Sequence, residues 1–207
     1  MTNIRAVIFD LGGVVVGSPL HAIAAYEREL GLPGDAVNRV VVASGSDGAW
    51  SRLERGEIAL DAFYPAFEAD CTAAGFMLDA REMMRRIALA TEPRPVMLEA
   101  IRRLRTARLR VAALTNNWIA EDEGTRLLAP LFDVFVESAV VGMRKPDPRV
   151  FEHTCVALGV PPAATAFLDD IGLNLKAARA LGMTTIKVEE PEAALDALGA
   201  VIGLALR

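Results

Sequence analysis

Residues 4–17 read IRAVIFDLGGVVVG, and this stretch decides the fold. Five of its first six residues are apolar, three of them in the unbroken run before Phe9, and the segment leads directly into Asp10 and a glycine-rich turn. A short, continuous apolar run is typical of a strand that is buried on both faces of a parallel sheet. We therefore predict a parallel strand from Ile4 to Phe9, with Asp10 at its carboxyl end.

The second half of the chain alternates between strand patterns and helix patterns. Helices are predicted over 95–107, over 121–129, after Pro148 as far as Gly159, before Gly182 and after Pro191. Further strands are predicted at 109–114, 132–136, 164–168 and 184–188. This alternation predicts an α/β fold with a doubly wound, Rossmann-like parallel sheet.

Residues 18–91 follow a different pattern, because helical spacing recurs there without a convincing strand. Glycine and proline punctuate the segment, as at Gly31, Pro33 and Gly34. We predict an all-helical insertion of four or five helices. The predicted domains are a core formed by 1–17 and 92–207, and a helical cap formed by 18–91.

Composition limits the classes of partner. The 207 residues carry a net charge of −5, whereas a nucleic-acid-binding domain is expected to be basic. No apolar run reaches the roughly 18 residues of a membrane span, and the amino terminus shows no signal-peptide pattern. The two cysteines fit no metal or redox spacing. We expect a cytoplasmic protein without nucleic-acid or membrane partners; the pattern predicts no oligomeric state.

Reactive and small polar residues collect where the predicted strands end. They are Asp10 after the first strand, Thr115, Asn116 and Asn117 after the second, Lys145 after the third, and Asp169 and Asp170 after the fourth. Parallel sheets bind ligands outside the carboxyl ends of their strands, so these groups share one rim. Clustered carboxylates repel unless a cation lies among them, and Mg²⁺ is the usual choice for oxygen ligands. The rim therefore favours phosphoryl transfer, with a carboxylate as nucleophile.

The glycines after Asp10 also invite comparison with a dinucleotide-binding turn. Residues 12–17 read GGVVVG, which does not match G-x-G-x-x-G. An apolar β-branched run stands where the helix of that motif would begin. The pattern argues against dinucleotide binding.

Four segments resemble, in order, the four motifs of the haloacid dehalogenase (HAD) superfamily: FDLGGV at 9–14, LTNN at 114–117, GMRKPDP at 142–148, and FLDDIGLN at 167–174. The sequence is most similar to the phosphatase-like domain of soluble epoxide hydrolases and to the HAD-like domain fused to some acyl-CoA dehydrogenases. The resemblance covers essentially the whole chain and is strongest from Val111 to Val188.

The resemblance implies a role for each matched residue. Asp10 would be the nucleophile, and Mg²⁺ would be held by Asp10, Asp170 and the backbone carbonyl of Gly12. Asp169 would act through a metal-bound water or a hydrogen bond, and Asn174 would steady the metal loop. The phosphoryl oxygens of a small phosphorylated metabolite would be bound by Thr115, Asn116 and Lys145. The helical insertion would close over the site as a cap and select the substrate.

The sequence departs from the HAD pattern at Gly12, where phosphatases of this superfamily usually carry an aspartate that protonates the leaving group. Its loss typically costs about 10²–10⁴ in rate. Three alternatives follow: a substrate with a good leaving group, a replacement acid from the cap such as His21, or a ligand-binding or scaffolding module without turnover. A further alternative is a 2-haloacid-type dehalogenase, which also lacks this aspartate but uses no metal.

The last residue of the second motif and the residue after it are candidates for contact with the substrate. Asn117 and Trp118 directly follow the predicted phosphate-binding pair. Trp118 is a better candidate for facing the pocket than the aromatic residues of the cap, which we expect to form the cap's own apolar core.

Overall fold

A computed structural model describes residues 4–119 and 124–207, and its centre is a five-stranded parallel sheet. The strand order is β3-β2-β1-β4-β5, so the strand predicted from the opening segment lies in the middle. The strands are β1 Ala6–Phe9, β2 Arg110–Thr115, β3 Val134–Glu137, β4 Thr165–Asp169 and β5 Thr184–Lys187. The α/β fold predicted from the sequence is confirmed.

Within the described residues, ten α-helices accompany the sheet. Five precede α6 and lie between β1 and β2: α1 Pro19–Glu29, α2 Ala36–Ser44, α3 Ala49–Glu54, α4 Leu60–Ala73 and α5 Ala80–Ala90. The others are α6 Pro95–Thr106, α7 Ser138–Val141, α8 Pro148–Leu158, α9 Gly172–Ala180 and α10 Pro191–Ile202. Short 3-10 helices lie at 45–47, 124–131 and 162–164.

The two faces of the sheet bury separate apolar clusters. In β1, Val7 and Phe9 point into the cluster that contains α6 and α10. Ala6 and Ile8 point into the cluster that contains α8 and α9. Alternate side chains of a strand face opposite sides, and both sides are covered here, which explains why the whole run is apolar.

The segment between β1 and β2 forms a third apolar cluster, to which α1–α5 contribute. Its largest buried side chains include the stacked rings of Phe63 and Phe67, whose centroids are 5.2 Å apart. Two antiparallel backbone hydrogen bonds, Gly17 to Glu92 and Arg94 to Val15, join the chain entering and leaving this insertion. The domain boundaries at 17/18 and 91/92 stay a prediction. No described helix has the length and apolarity that a membrane span needs.

The structure differs from the sequence prediction mainly at the ends of elements. Part of the predicted helix over 121–129 lies outside the described residues, and 124–131 is a 3-10 helix that contains Pro130. Helix α7 was not expected, because four residues carry no helical period. The strands start or end within two residues of their predicted bounds, which is the usual uncertainty of element ends.

Candidate active site

Asp10 lies at the carboxyl end of the central strand, where the fold places it beside β4. Its backbone N–H donates to the carbonyl of Leu168 at 2.9 Å, which extends the ladder by one residue. Its Oδ1 accepts from the backbone N–H of Leu11 at 2.7 Å and lies 2.8 Å from the ammonium of Lys145. The protein therefore fixes one oxygen of this carboxylate, and among the described residues no hydrogen bond reaches Oδ2.

Lys145 lies in the loop after β3 and α7, and its fully buried side chain reaches the rim. Its Nζ lies 2.8 Å from Asp10 and 2.8 Å from Oδ2 of Asp169. Its backbone is held on both sides by Asn116, whose Oδ1 accepts from the N–H of Lys145 at 2.8 Å and whose Nδ2 donates to the carbonyl at 3.0 Å. A buried ammonium between two carboxylates compensates the charge of both.

Asp169 and Asn174 form the next layer of contacts. Asn174, in α9, donates from Nδ2 to both oxygens of Asp169 at 3.2 and 3.1 Å, and the backbone N–H of Ile171 donates to Oδ1 at 2.7 Å. With Lys145 on Oδ2, this carboxylate is well supplied with donors. These contacts hold Asp169 in one position, from which it can orient the side chains that donate to it.

Asp170 has a different environment from the aspartate before it. Its Oδ1 is buried and has no hydrogen-bond partner in the described structure. A Cβ on Gly13, whose φ is +77°, would lie 2.2 Å from Asp170 Oδ2. Asp170 thus occupies space that only a glycine at position 13 leaves open, while one of its oxygens lacks a protein donor.

The charged groups of the rim have altered pKa values. The pKa of Asp10 is raised to about 8, mainly by burial and also by the charges of Asp169 and Asp170, although Lys145 lowers it. Burial, followed by the charge of Asp169, also raises the pKa of Asp170. The pKa of Lys145 is raised because Asp10 and Asp169 together outweigh its desolvation. One ammonium is therefore insufficient for three carboxylates, which favours a second cation.

The donor set fits a hard divalent cation. Asp10, Asp169 and Asp170 each offer an oxygen, and these oxygens lie within 4.8 Å of one another. The unpartnered Oδ1 of Asp170 has the character of a metal ligand. Oxygen-only ligands of this charge suit Mg²⁺.

The remaining predicted residues differ from one another in burial and in contacts. Thr115 is buried as the last residue of β2. The backbone N–H of Asn117 donates to Ser138 Oγ at 2.9 Å, and its Nδ2 donates to Glu137 at 2.6 Å, so its donors are committed to the end of β3. Trp118 is half-buried against the apolar cluster of the insertion. His21 is exposed on α1.

Several contacts were not predicted from the sequence. Arg94 donates to the carbonyl of Gly13 at 2.9 Å and so steadies the turn beside Asp170. Ser138 holds Asn117, and Arg144 contacts Glu54 of the insertion. Arg94 lies between two prolines at 93–95, a pattern that does not indicate this contact.

Comparison with known proteins extends along the whole chain. The family model for haloacid dehalogenase-like hydrolases matches residues 4–182. Acyl-CoA dehydrogenase family member 10 of Mus musculus is 37% identical over 98% of this chain, and bifunctional epoxide hydrolase 2 of Sus scrofa is 35% identical over 98%. The chain spans 19% and 40% of the lengths of these two relatives, so it corresponds to one part of each.

Two further proteins match over most of their own length. Sesquiterpene phosphatase astK of Aspergillus oryzae is 28% identical, with 98% of both chains covered. A HAD family enzyme from Bacteroides thetaiotaomicron, solved with magnesium and inorganic phosphate, shares the fold with a TM-score of 0.63 and 21% identity, over 89% of this chain and 93% of that chain. The family model and the two relatives confirm the resemblance predicted from the sequence. This chain belongs to the haloacid dehalogenase-like hydrolases.

Proposed function

We propose that the protein is a Mg²⁺-dependent phosphatase that acts on a small phosphorylated metabolite. The observation that carries the proposal is the buried Lys145 ammonium at 2.8 Å from both Asp10 and Asp169, with Asp170 close by and lacking a partner. This arrangement supplies a fixed carboxylate nucleophile beside cations, which suits attack on an anionic phosphoryl group.

Asp10 Oδ2 is the attacking atom in this proposal, because Oδ1 is already held by Lys145 and Leu11. The oxygen forms a bond to phosphorus while the bond from phosphorus to the leaving oxygen breaks. Water then attacks phosphorus, which frees Asp10 and releases inorganic phosphate. The cycle takes up one proton and releases one: the leaving oxygen takes a proton from solvent, and the attacking water gives one up to solvent.

The phosphoryl oxygens are bound by Thr115, Asn116 and Lys145. The side-chain amide of Asn116 is engaged with the backbone of Lys145 on both sides, so Asn116 contributes its own backbone N–H. Thr115 contributes its hydroxyl from the end of β2. The ammonium of Lys145 stabilises negative charge that develops on the phosphoryl group.

Asp10, Asp170 and the carbonyl of Gly12 would hold the Mg²⁺, with Asp169 and Asn174 beside them. Bound there, the ion would neutralise the carboxylates and polarise the phosphoryl group. The relatives support this reading: one of them is named a sesquiterpene phosphatase, and a protein of the same fold was solved with magnesium and inorganic phosphate.

Gly12 restricts the proposed substrate class. A glycine carries no acid that could protonate a leaving oxygen, and a good leaving group needs little protonation. Acyl phosphates, sugar 1-phosphates and aryl phosphates have such leaving groups. We therefore expect them to react faster than phosphates of simple alcohols.

A substrate panel with a matched variant tests the function. Phosphate release should be measured on aryl, acyl, sugar 1- and alkyl phosphates, with Mg²⁺ and with EDTA. We expect release that requires Mg²⁺ and is absent in Asp10→Asn, while Asp61→Asn, on the exposed face of α4, keeps the full rate. No release above Asp10→Asn on any substrate would reject the phosphatase and favour a binding module.

Metal dependence has its own test. Asp170→Asn removes one negative ligand but preserves the size of the side chain, so the Mg²⁺ concentration for half-maximal rate should rise by about tenfold or more. Magnesium binding should also be measured by calorimetry without substrate. An unchanged midpoint would place the ion elsewhere.

The dehalogenase alternative uses Asp10 as nucleophile but no metal, so it leaves the clustered Asp169 and Asp170 without a purpose. Halide release from 2-haloacids, measured in EDTA, tests it directly. Halide release that persists in EDTA and is lost in Asp10→Asn would favour it over the phosphatase.

The missing acid can be reintroduced. A Cβ at position 12 would lie 3.1 Å from Cδ and 3.2 Å from Cγ of Pro19, so Gly12→Asp requires the proline ring to shift by a few tenths of an ångström. We expect the variant to raise turnover of alkyl phosphates more than that of aryl phosphates. Gly12→Asn, of the same size but without an acidic proton, is the control. Equal rates for both variants and the wild type would show that another group already serves as the acid.

A further inference from the structure

A charged contact connects the insertion to the loop that carries Lys145. Glu54, the last residue of α3, places Oε2 2.5 Å from Nε of Arg144 and accepts from Trp50 Nε1 at 2.9 Å through Oε1. The guanidinium of Arg144 also donates to Ser51 Oγ at 2.9 Å. Among ion pairs of the described residues, this is the one that links the insertion to the rest of the chain. We call the contact of residues 51–56 with residues 138–144 the seam.

The seam is also close at the backbone. Gly56 has a φ of +69°, and a Cβ there would lie 2.2 Å from the carbonyl oxygen of Ala139 in α7. A side chain at position 56 would push the two segments apart. The glycine therefore lets α3 and its following turn approach α7, directly before the loop that leads to Lys145.

The charged contact at the seam is largely shielded from solvent. The side chain of Glu54 is 9% exposed, and burial raises its pKa although Arg144, Trp50 and Lys145 lower it. Replacing a buried ion pair with apolar side chains is often neutral or stabilising, because burial of the charges costs as much as their attraction returns. A purely stabilising role therefore explains this contact poorly.

Arg144 is bonded directly to Lys145, so the seam and the rim share one stretch of backbone. Both sides of the Lys145 peptide are hydrogen-bonded to Asn116, and the ammonium is fixed between Asp10 and Asp169. Packed interiors transmit displacement because they leave little free volume. A shift of Arg144 caused by the insertion therefore reaches the ammonium of Lys145.

We propose that Glu54 and Arg144 are positioning residues, through which the seating of the helical insertion sets the place of Lys145 beside Asp10. The proposal rests on the proposed function in that Lys145 binds the phosphoryl group. It makes the insertion a part of the phosphoryl site and not merely a cover over it. Neither Glu54 nor Arg144 contacts the reacting atoms in this proposal.

The test compares Glu54→Gln, Arg144→Gln and their double variant with Arg86→Gln, which breaks ion pairs to Glu29 and Glu82 within the insertion, away from the seam. The kcat and KM for an aryl phosphate with Mg²⁺ and inhibition by orthophosphate are measured. We expect each seam variant to lower kcat by about 10- to 100-fold, because small misplacements of catalytic groups have effects of that size. KM should change less than kcat, orthophosphate should inhibit more weakly, and the double variant should be no worse than the poorer single variant.

Hydrogen exchange provides a readout that does not need activity. The amide of Lys145 donates to Asn116 Oδ1, and we expect it to exchange faster in both seam variants and unchanged in Arg86→Gln. If the wild type releases no phosphate, faster exchange still supports the coupling and only the proposed function fails. Seam variants with lower Tm but unchanged kcat and unchanged exchange would overturn the proposal. If Glu54→Gln does not fold, Ser51→Ala removes one contact of Arg144 and tests the same coupling.

Discussion

The rim of the sheet and the seam both bury charged side chains, yet they are built differently. At the rim, Lys145 contacts Asp10 and Asp169 at 2.8 Å each, and Asn174 adds donors to Asp169. At the seam, Glu54 and Arg144 approach to 2.5 Å, and Trp50 and Ser51 each add one hydrogen bond. The rim is fixed by strand ends that must pair in register, whereas the seam depends on how two segments far apart in sequence dock. The two regions meet at neighbouring residues, Arg144 at the seam and Lys145 at the rim.

The largest effect on stability is expected from removing the rim cation. Lys145→Met leaves Asp10 and Asp169 buried without their counter-charge, which typically costs about 3–5 kcal/mol of the free energy of unfolding. The loss should be smaller at pH 5 than at pH 8, because the carboxyl groups can take up protons. Urea denaturation in EDTA at both pH values measures it, with Lys187→Met on the exposed edge strand as control. An equal loss at both pH values would contradict the electrostatic origin.

The next largest effect is expected from a substitution that creates a cavity in the insertion, and it also tests the predicted domain division. Leu53 is buried in the insertion's apolar cluster, and Leu53→Ala should cost about 2–5 kcal/mol. Both tryptophans of the chain, Trp50 and Trp118, pack against this cluster, so fluorescence reports on the insertion. If the insertion is a domain of its own, fluorescence should change at lower urea than the circular dichroism of the whole chain. Coincident transitions in the variant would mean that insertion and sheet unfold as one unit.

A moderate effect is expected from Asp10→Asn without metal. The pKa of Asp10 is raised, mainly by burial, from its ordinary value of 3.8 to about 8. Its contribution to stability is therefore present below the unfolded pKa and is lost as pH rises through about 8. The amide cannot ionise and escapes that loss. Relative to the wild type, the variant should therefore gain at least about 1.4 kcal/mol between pH 4 and pH 9, which is the free energy of one pKa unit. Denaturation in EDTA measures the gain, and saturating Mg²⁺ should abolish it if the ion binds Asp10.

The smallest effect is expected far from both regions. Arg81 and Asp61 lie 3.6 Å apart with side chains 70% and 91% exposed. Exposed pairs are screened by water and salt. Asp61→Asn should leave the denaturation midpoint and its dependence on salt unchanged within error. A clearly lower denaturation midpoint would mean that an exposed ion pair of the insertion contributes to stability much as the buried pairs of the rim do.

The sequence predicted the rim well because periodicity and strand ends are local signals. Asp10, Lys145 and Asp169 come together as expected, since each is attached to an element whose apolar pattern places it in the sheet. Asn117 stays a candidate for contact with the substrate, and its donors bind Glu137 and Ser138. That arrangement depends on the register of β3 and on α7, neither of which leaves a periodic signature. The functions assigned to the rim residues stay predictions.

The seam could not be predicted for a related reason. Glu54 and Arg144 are charged residues in stretches that otherwise look exposed, and only the docking of α3 on α7 buries them together. Gly56 gave a hint, since a glycine after a helix often marks a turn, but nothing local indicates that its missing side chain admits Ala139. Long-range docking of this kind has no counterpart in hydrophobic spacing.

The central position of β1 has a consequence for how the protein is made. A ribosome releases this strand before both of its neighbours in the sheet, because β2 and β4 come from later parts of the chain. Asp10 therefore leaves the exit tunnel long before the segment with Asp169 and Asp170 is synthesised. A nascent chain carries the carboxylate without the partners that surround it in the folded protein. Pairing of β1 with strands that are distant in sequence slows folding. Premature termination before β4 should yield polypeptides that have neither a complete sheet nor an acidic cluster.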